Sequence, residues 1–290
     1  MQRFSLVPAP SVLLIVVDNS PEGDAAACQS RQGAWPLHYV HEIRPGISHA
    51  RNTAVEAVPA GTDFIAMIDD DEVPAPTWLD CLLDARMRSG ADIVAGPAIP
   101  VFPPHTPEWV AAGGFFLKPA NMHALRDLDP HPPVATCNVL LRAGLLGDAG
   151  VRFDPALALS GGEDKLVFQT LKLRGCRFAW AAEAKVAEWV PAERATLGYM
   201  WRESFRRGAV KFYVKRKLKS ESALRSVRIA LRMTLRCIAG IAWQLLCLLA
   251  NLWRGRRGWV PHALDIADNL GTLAGIMGVR NRHYRPEANA

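Results

Sequence analysis

The chain is built from short unbroken apolar runs, each ending in polar or acidic residues. Phe64–Ile68 (FIAMI) runs into Asp69, Asp70, Asp71 and Glu72 and stops at Val73-Pro74. Val12–Val17 (VLLIVV) ends in Asp18-Asn19-Ser20-Pro21, and Leu37–Val40 is a third run. Continuous apolar stretches of this length predict strands buried on both faces. Between them Ser48 is placed to cap a helix from His49 to Val58, closed by Pro59 and Gly61. A second helix, Trp78–Arg88, lies between Pro76 and Gly90. Asp92–Ala98 and Ala135–Leu141 read as strands, the latter carrying Asn138. Ser160-Gly161-Gly162 leads into a helix from Glu163 to Arg174, and Phe178–Trp189 reads as one or two further strands. Pro100–Pro133, rich in Pro and aromatics and without a period, reads as a long loop or lid. The β-α-β alternation predicts an α/β fold with a mostly parallel sheet flanked by helices.

In open α/β sheets ligands bind at the C-terminal ends of the strands. Four carboxylates crowded at one such end repel unless a cation joins them. A hard divalent ion such as Mg²⁺, which also holds substrate phosphates, suits them. An acidic turn without a ligand is the plain alternative. The Gly161-Gly162 pair lets the backbone approach a ligand closely. Glu163 and Asp164 fall in a first helical turn, where the helix dipole favours carboxylates whether or not they react.

The pattern changes near residue 200. Trp201–Arg236 holds twelve Lys or Arg against two Glu, which leaves the rest of this +6 chain near −4. Arg225, Arg228, Arg232 and Arg236 recur at helical spacing among Val227, Ile229, Leu231 and Leu235. Cys237–Trp253 follows, seventeen residues with only Gln244 and Asn251 polar. As a helix it spans ~25 Å, short of the ~30 Å hydrocarbon core of a bilayer. A return pass over Trp259–Val279 would put Asp265 and Asp268 in lipid, which is unfavourable. The reading is of residues 216–290 as a basic and apolar helical tail lying on the inner membrane surface at the cytoplasmic face, with Trp243, Trp253 and Trp259 at headgroup depth. Helices bundled onto the preceding domain, residues 1–215, are the alternative. A basic block adjoining an apolar tail, without interleaved aromatics, argues against nucleic acid. The six cysteines form no C-x-x-C pair, so neither a zinc ribbon nor a disulfide framework is suggested. No signal peptide is visible.

Taken in order, Val16–Asn19, Arg44–Asn52, Ile68–Glu72, Asn138–Arg142, Gly161–Asp164 and Val190–Arg194 resemble the inverting family 2 glycosyltransferases of GT-A fold, in particular bacterial exopolysaccharide enzymes of the succinoglycan glucosyltransferase type. The resemblance covers roughly residues 10–210. It implies a nucleotide-diphosphate sugar donor, a UDP-sugar in particular, a glycan or lipid-linked acceptor, and Mg²⁺ or Mn²⁺. By resemblance Asp18 and Asn19 belong to the nucleotide side, with Asp18 on the base. Asp69 lies near the ribose and with Asp71 serves the metal, and Asp70 belongs to the same nucleotide-binding run. Asp164 is the base, Glu163 its acceptor-side neighbour, and Asn138 lines the donor-sugar pocket. Arg51 positions the nucleotide or is an ordinary surface helix arginine. Arg202 and Arg206 face the acceptor diphosphate or the donor, or form a solvated basic face. Two departures stand out. Relatives begin with a strand and a helix before the strand matching Val12–Val17, so the expectation is a gap beside that strand. Relatives also carry a histidine where this chain has Glu188-Trp189, with Trp189 read as structural. A nucleotidyltransferase, which would need a basic phosphate loop near the N-terminus, and a non-catalytic membrane-associated subunit are the competing readings.

Overall fold

The computed structural model describes residues 2, 4, 9–30, 33–116, 127–129, 134–148, 150–219 and 222–279. Residues 117–126 and 130–133 of the expected loop and all of residues 5–8 lie outside this set. Nine strands and seven helices are described. They are β1 (Leu14–Asp18), β2 (Leu37–His41), α1 (Ile47–Glu56), β3 (Phe64–Ile68), β4 (Glu72–Pro74), α2 (Trp78–Ser89), β5 (Ile93–Ala95) and β6 (Ala98–Val101). Then follow α3 (Glu108–Ala111), β7 (Asn138–Arg142), α4 (Glu163–Leu173), β8 (Phe178–Trp180), β9 (Val186–Trp189), α5 (Leu197–Lys219), α6 (Ala223–Ala250) and α7 (Arg256–Ile276).

The α/β class holds, and the pairing is mixed. The main sheet runs β3-β7-β5-β8, with β7 antiparallel to both neighbours and β5 parallel to β8. A small sheet, β4-β9-β6, combines one antiparallel and one parallel ladder. β1 and β2 pair in parallel as a sheet of two. Among the described residues no ladder joins β1 to β3; the gap expected beside β1 turns on residues 1–8, most of which lie outside the described set. The run that reads as doubly buried is not. β3 edges its sheet and is half-buried except at Ala66, which is exposed. The strands buried on both faces are β5 and β7.

The core fills both sides of this sheet. Trp78, Leu79, Leu82 and Ala85 of α2 pack with Val94, Leu140 and Ala179. Val167, Phe168 and Leu171 of α4 pack with Ile93, Val139, Leu141 and Phe153. Helix α1 begins two residues earlier than its polar pattern suggests. Gly46 precedes it, and Ser48 is inside the helix, donating its hydroxyl to Asp154 O at 2.9 Å rather than capping.

The tail divides in two. α7 packs along α5, and their backbones meet at small residues. A Cβ on Gly208 would collide with the Asp268 carbonyl, and one on Gly271 with the Phe205 carbonyl. α7 therefore takes the bundled alternative. α6 folds back on α7 and buries only Met233 and Cys237.

Candidate active site

The acidic run stands where the β3 strand ends. Asp69 is half-buried, Asp70 exposed and Asp71 half-buried. The turn is clipped into the small sheet. Asp69 N–H donates to Glu72 Oε2 at 3.0 Å, and Trp189 N–H donates to Asp71 O at 3.0 Å. Glu72 and Glu188, both buried, face each other directly across β4 and β9. Trp189 is 51% exposed, so it is not the packed structural tryptophan the sequence suggested.

Arg51 decides the geometry. It projects from α1, its side chain 13% exposed, with its guanidinium 5.9 Å from the Phe153 ring centroid. One amino group pairs with Asp69 Oδ1 at 3.2 Å and the other with Glu163 Oε1. The end of β3 and the first turn of α4 are therefore one arginine apart. The surface-arginine alternative falls. Glu163 is buried, and burial, reinforced by the neighbouring Asp164 charge, raises its pKa in spite of Arg51. Asp164 stands half-exposed beside it. On the other flank Arg194, from the loop after β9, pairs with Asp71 Oδ2 at 3.1 Å. Sequence reasoning placed Arg194 in a motif without giving it a partner.

The structure assigns other residues differently from the sequence. Asn138 does not line an open pocket. It is buried, accepts from Trp78 Nε1 at 2.8 Å, and donates to Pro97 O at 3.0 Å and Ala184 O at 2.7 Å. Its amide clamps β7 to the segments after β5 and before β9. Asp18 is saturated in a similar way. Oδ1 accepts from Ser20 N and Oγ, Oδ2 from Ala25 N and Tyr39 Oη, all within 2.9 Å. Burial pushes its carboxyl up, but these hydrogen bonds outweigh it and hold the pKa at about 2. With about four lone-pair sites on a carboxylate, little capacity is left for a base. Asp18 instead shapes the loop over residues 18–25. Asn19 staples that loop to the next turn, donating to Glu42 O and Arg44 O and accepting from Gly46 N. Sequence reasoning missed Glu42, whose carboxyl binds Arg44 and Thr53; the Arg44 hydrogen bonds, opposed by burial, lead in holding its pKa at about 2.

The glycine pair serves a helix. Gly161 and Gly162 have φ of +74° and +89°, and side chains there would meet Arg206 and Val210 of α5. Arg206 donates to Ser160 O at 2.7 Å and grips Glu203 with two further nitrogens. It thus holds the glycine turn from behind, while Arg202 stands exposed one turn earlier.

Residues 11–146 match the model of Glycosyl transferase family 2. The chain is 34% identical over 203 residues to the succinoglycan biosynthesis protein ExoM of Rhizobium meliloti (strain 1021), a match covering 67% of this chain.

Residues 11–146 are a glycosyltransferase family 2 domain.

The chain spans 62% of the length of that relative. S. aureus TarS 1–349 in complex with UDP-GlcNAc is similar at a TM-score of 0.49 and 13% identity, over 92% of this chain and 83% of that one. The TarS complex with UDP gives 0.44 and 13%, over 94% and 85%. The family assignment and the layered α/β architecture agree on a GT-A glycosyltransferase fold. The carboxylates that Arg51 joins fall in two of the motifs by which the sequence resembles this family.

Among the described residues no three His, Cys, Asp or Glu side chains cluster closely enough to enclose a metal. The donor set still fits one. Mg²⁺ is commonly held by one or two carboxylates, with phosphate oxygens and water completing its shell. Asp69 and Asp71, 40% and 35% exposed, supply two carboxylates of the right hardness.

Proposed function

We propose that the chain transfers a sugar from a nucleotide-diphosphate sugar, a UDP-sugar in particular, to a glycan or lipid-linked saccharide, with inversion at the anomeric carbon. The observation that carries this reading is Arg51, which brings Asp69 and Glu163 onto one guanidinium. Asp164, half-exposed next to the buried and paired Glu163, is the base. It takes the proton of the acceptor hydroxyl as that oxygen attacks the anomeric carbon. The bond to the diphosphate breaks on the opposite face, so the configuration inverts. Base assistance of this kind contributes ~10²–10⁴-fold.

Asp69 and Asp71 would hold Mg²⁺ or Mn²⁺, with Asp70 and the loop anchored by Asp18 and Asn19 on the nucleotide side. When bound, the ion supplies positive charge opposite the charge that develops on the leaving diphosphate. Arg51 and Arg194 neutralise these same carboxylates in its absence. Gly161, Gly162 and Arg206 set the position of the base-bearing turn, and Arg202 faces the acceptor. Residues 1–215 form the transferase unit and 216–290 a membrane-associated tail at the cytoplasmic face. The likeness to a succinoglycan biosynthesis protein supports cell-surface polysaccharide synthesis as the setting.

Calorimetry of UDP with and without Mn²⁺ tests the reading. Binding should need the metal, and Asp71→Ala should abolish that dependence. A mutant with unchanged metal dependence would remove Asp71 from the site.

A further inference from the structure

α6 is the one described helix long and apolar enough to cross a membrane, yet only 11% of its most apolar window is buried. One side of it faces α7 through Met233, Cys237 and Gln244. On the opposite side Val227, Leu231, Leu235, Ile238, Leu245 and Leu249 are each 47–66% exposed. At 100° per residue these six fall in one stripe. Along one flank of the stripe run Arg225, Arg228, Arg232 and Arg236, spaced three or four apart and exposed. Past its C-terminal end Trp253 is 83% exposed, with the Arg254 guanidinium 6.0 Å from its ring.

We propose that this outer face of α6 docks onto an anionic lipid bilayer, with the helix lying in the plane of the interface. The apolar stripe matches the acyl boundary and the arginine flank matches anionic headgroups. The helix does not cross. Its inner side is tied to polar groups that hydrocarbon would not admit: Gln244 bonds Asp265 at 2.8 Å and His262 at 2.7 Å, and Asp268 of the same α7 pairs with Lys211 of α5. Inserting α6 would carry these groups and the α5 contact into lipid, where each charge is costly. In the plane, all of them stay on the protein side. This deepens the location proposed above, and its test reads no sugar transfer, so either can fail without the other.

The test is flotation of the full chain with vesicles of phosphatidylcholine alone or mixed with phosphatidylglycerol. Binding should require the anionic lipid and weaken with salt. Replacing Arg225, Arg228, Arg232 and Arg236 by Gln should lower the partition coefficient about 10²-fold or more, at roughly fivefold per charge near the surface. Leu231→Glu with Leu235→Glu should lower it at least about tenfold. Both sites are exposed, so helix content should match the wild type. Independently of any variant, wild-type tryptophan emission should shift to the blue on anionic vesicles, since Trp243 and Trp253 enter the interface. Equal binding to neutral vesicles, or resistance to carbonate extraction, overturns the in-plane anionic assignment. So does a soluble dimer dissolved by the two Glu substitutions, which would make a second copy the occupant.

Discussion

Arg51→Met removes the cation that joins β3 to α4 while keeping an apolar stem over Phe153. Two ion pairs are lost, and they differ in worth. Asp69 is 40% exposed, so its arm contributes little after solvent screening. The Glu163 side chain is 4% exposed, and leaving it charged and unpaired carries the penalty of a broken buried pair, about 3 kcal/mol. For a chain of this size that lowers Tm by roughly 6–12 °C. The loss depends on pH with a definite sign. The Glu163 pKa is raised in the folded state, so the native protein holds its proton more tightly than the unfolded chain. Stability from this group is full below the unfolded pKa and falls as pH rises through the folded one. Without Arg51 the folded pKa climbs further, so the deficit against wild type should be larger at pH 8 than at pH 5. Adding Glu163→Gln should recover most of it. Thermal melts of the two single variants and the double variant at both pH values measure all three effects. A deficit that is independent of pH, or not relieved by Glu163→Gln, refutes the account of Arg51.

Two further outcomes follow from the residues the structure reassigned. Asn138→Ala strands the buried Trp78 indole N–H and two carbonyls, and should destabilise by about 3 kcal/mol in a denaturant titration while leaving the affinity for UDP within about twofold; a stable variant with lost UDP affinity would return Asn138 to the donor pocket. Gly161→Ala forces a side chain into the left-handed region and against Arg206, and should cost about 2 kcal/mol, read as a lower Tm.

The acid cluster was plain in the sequence because an apolar run with no polar interruption gave its position in the sheet. Arg51 could be read either way, since a helix arginine carries no sign of its partners. Its role appears only when α1 and α4, more than a hundred residues apart, are placed side by side. Asn138 was open to two readings for a related reason. A lone amide in a buried strand satisfies its hydrogen bonds either with a ligand or with the backbone, and the pattern cannot distinguish them. The glycine pair signalled a close approach, and Arg206 and Val210 of α5 make one. The small sheet escaped notice because three- and four-residue strands are too short to show a period of two. In the tail the apolar content of α6 and α7 looks alike. Small residues at Gly208, Gly271 and Gly275 let α7 pack tightly, and α6 is left outside.

The central claim, transfer by an α4 carboxylate acting beside a β3-end donor site, is most directly tested at Asp164. Nucleoside diphosphate release is followed from a panel of nucleotide sugars, with a glycolipid extract as the acceptor source. Asp164→Asn is compared with wild type at matched donor affinity. The account predicts unchanged donor binding and turnover lowered by ~10² or more. Turnover near the wild-type rate, or lost donor binding with an intact fold, would contradict it.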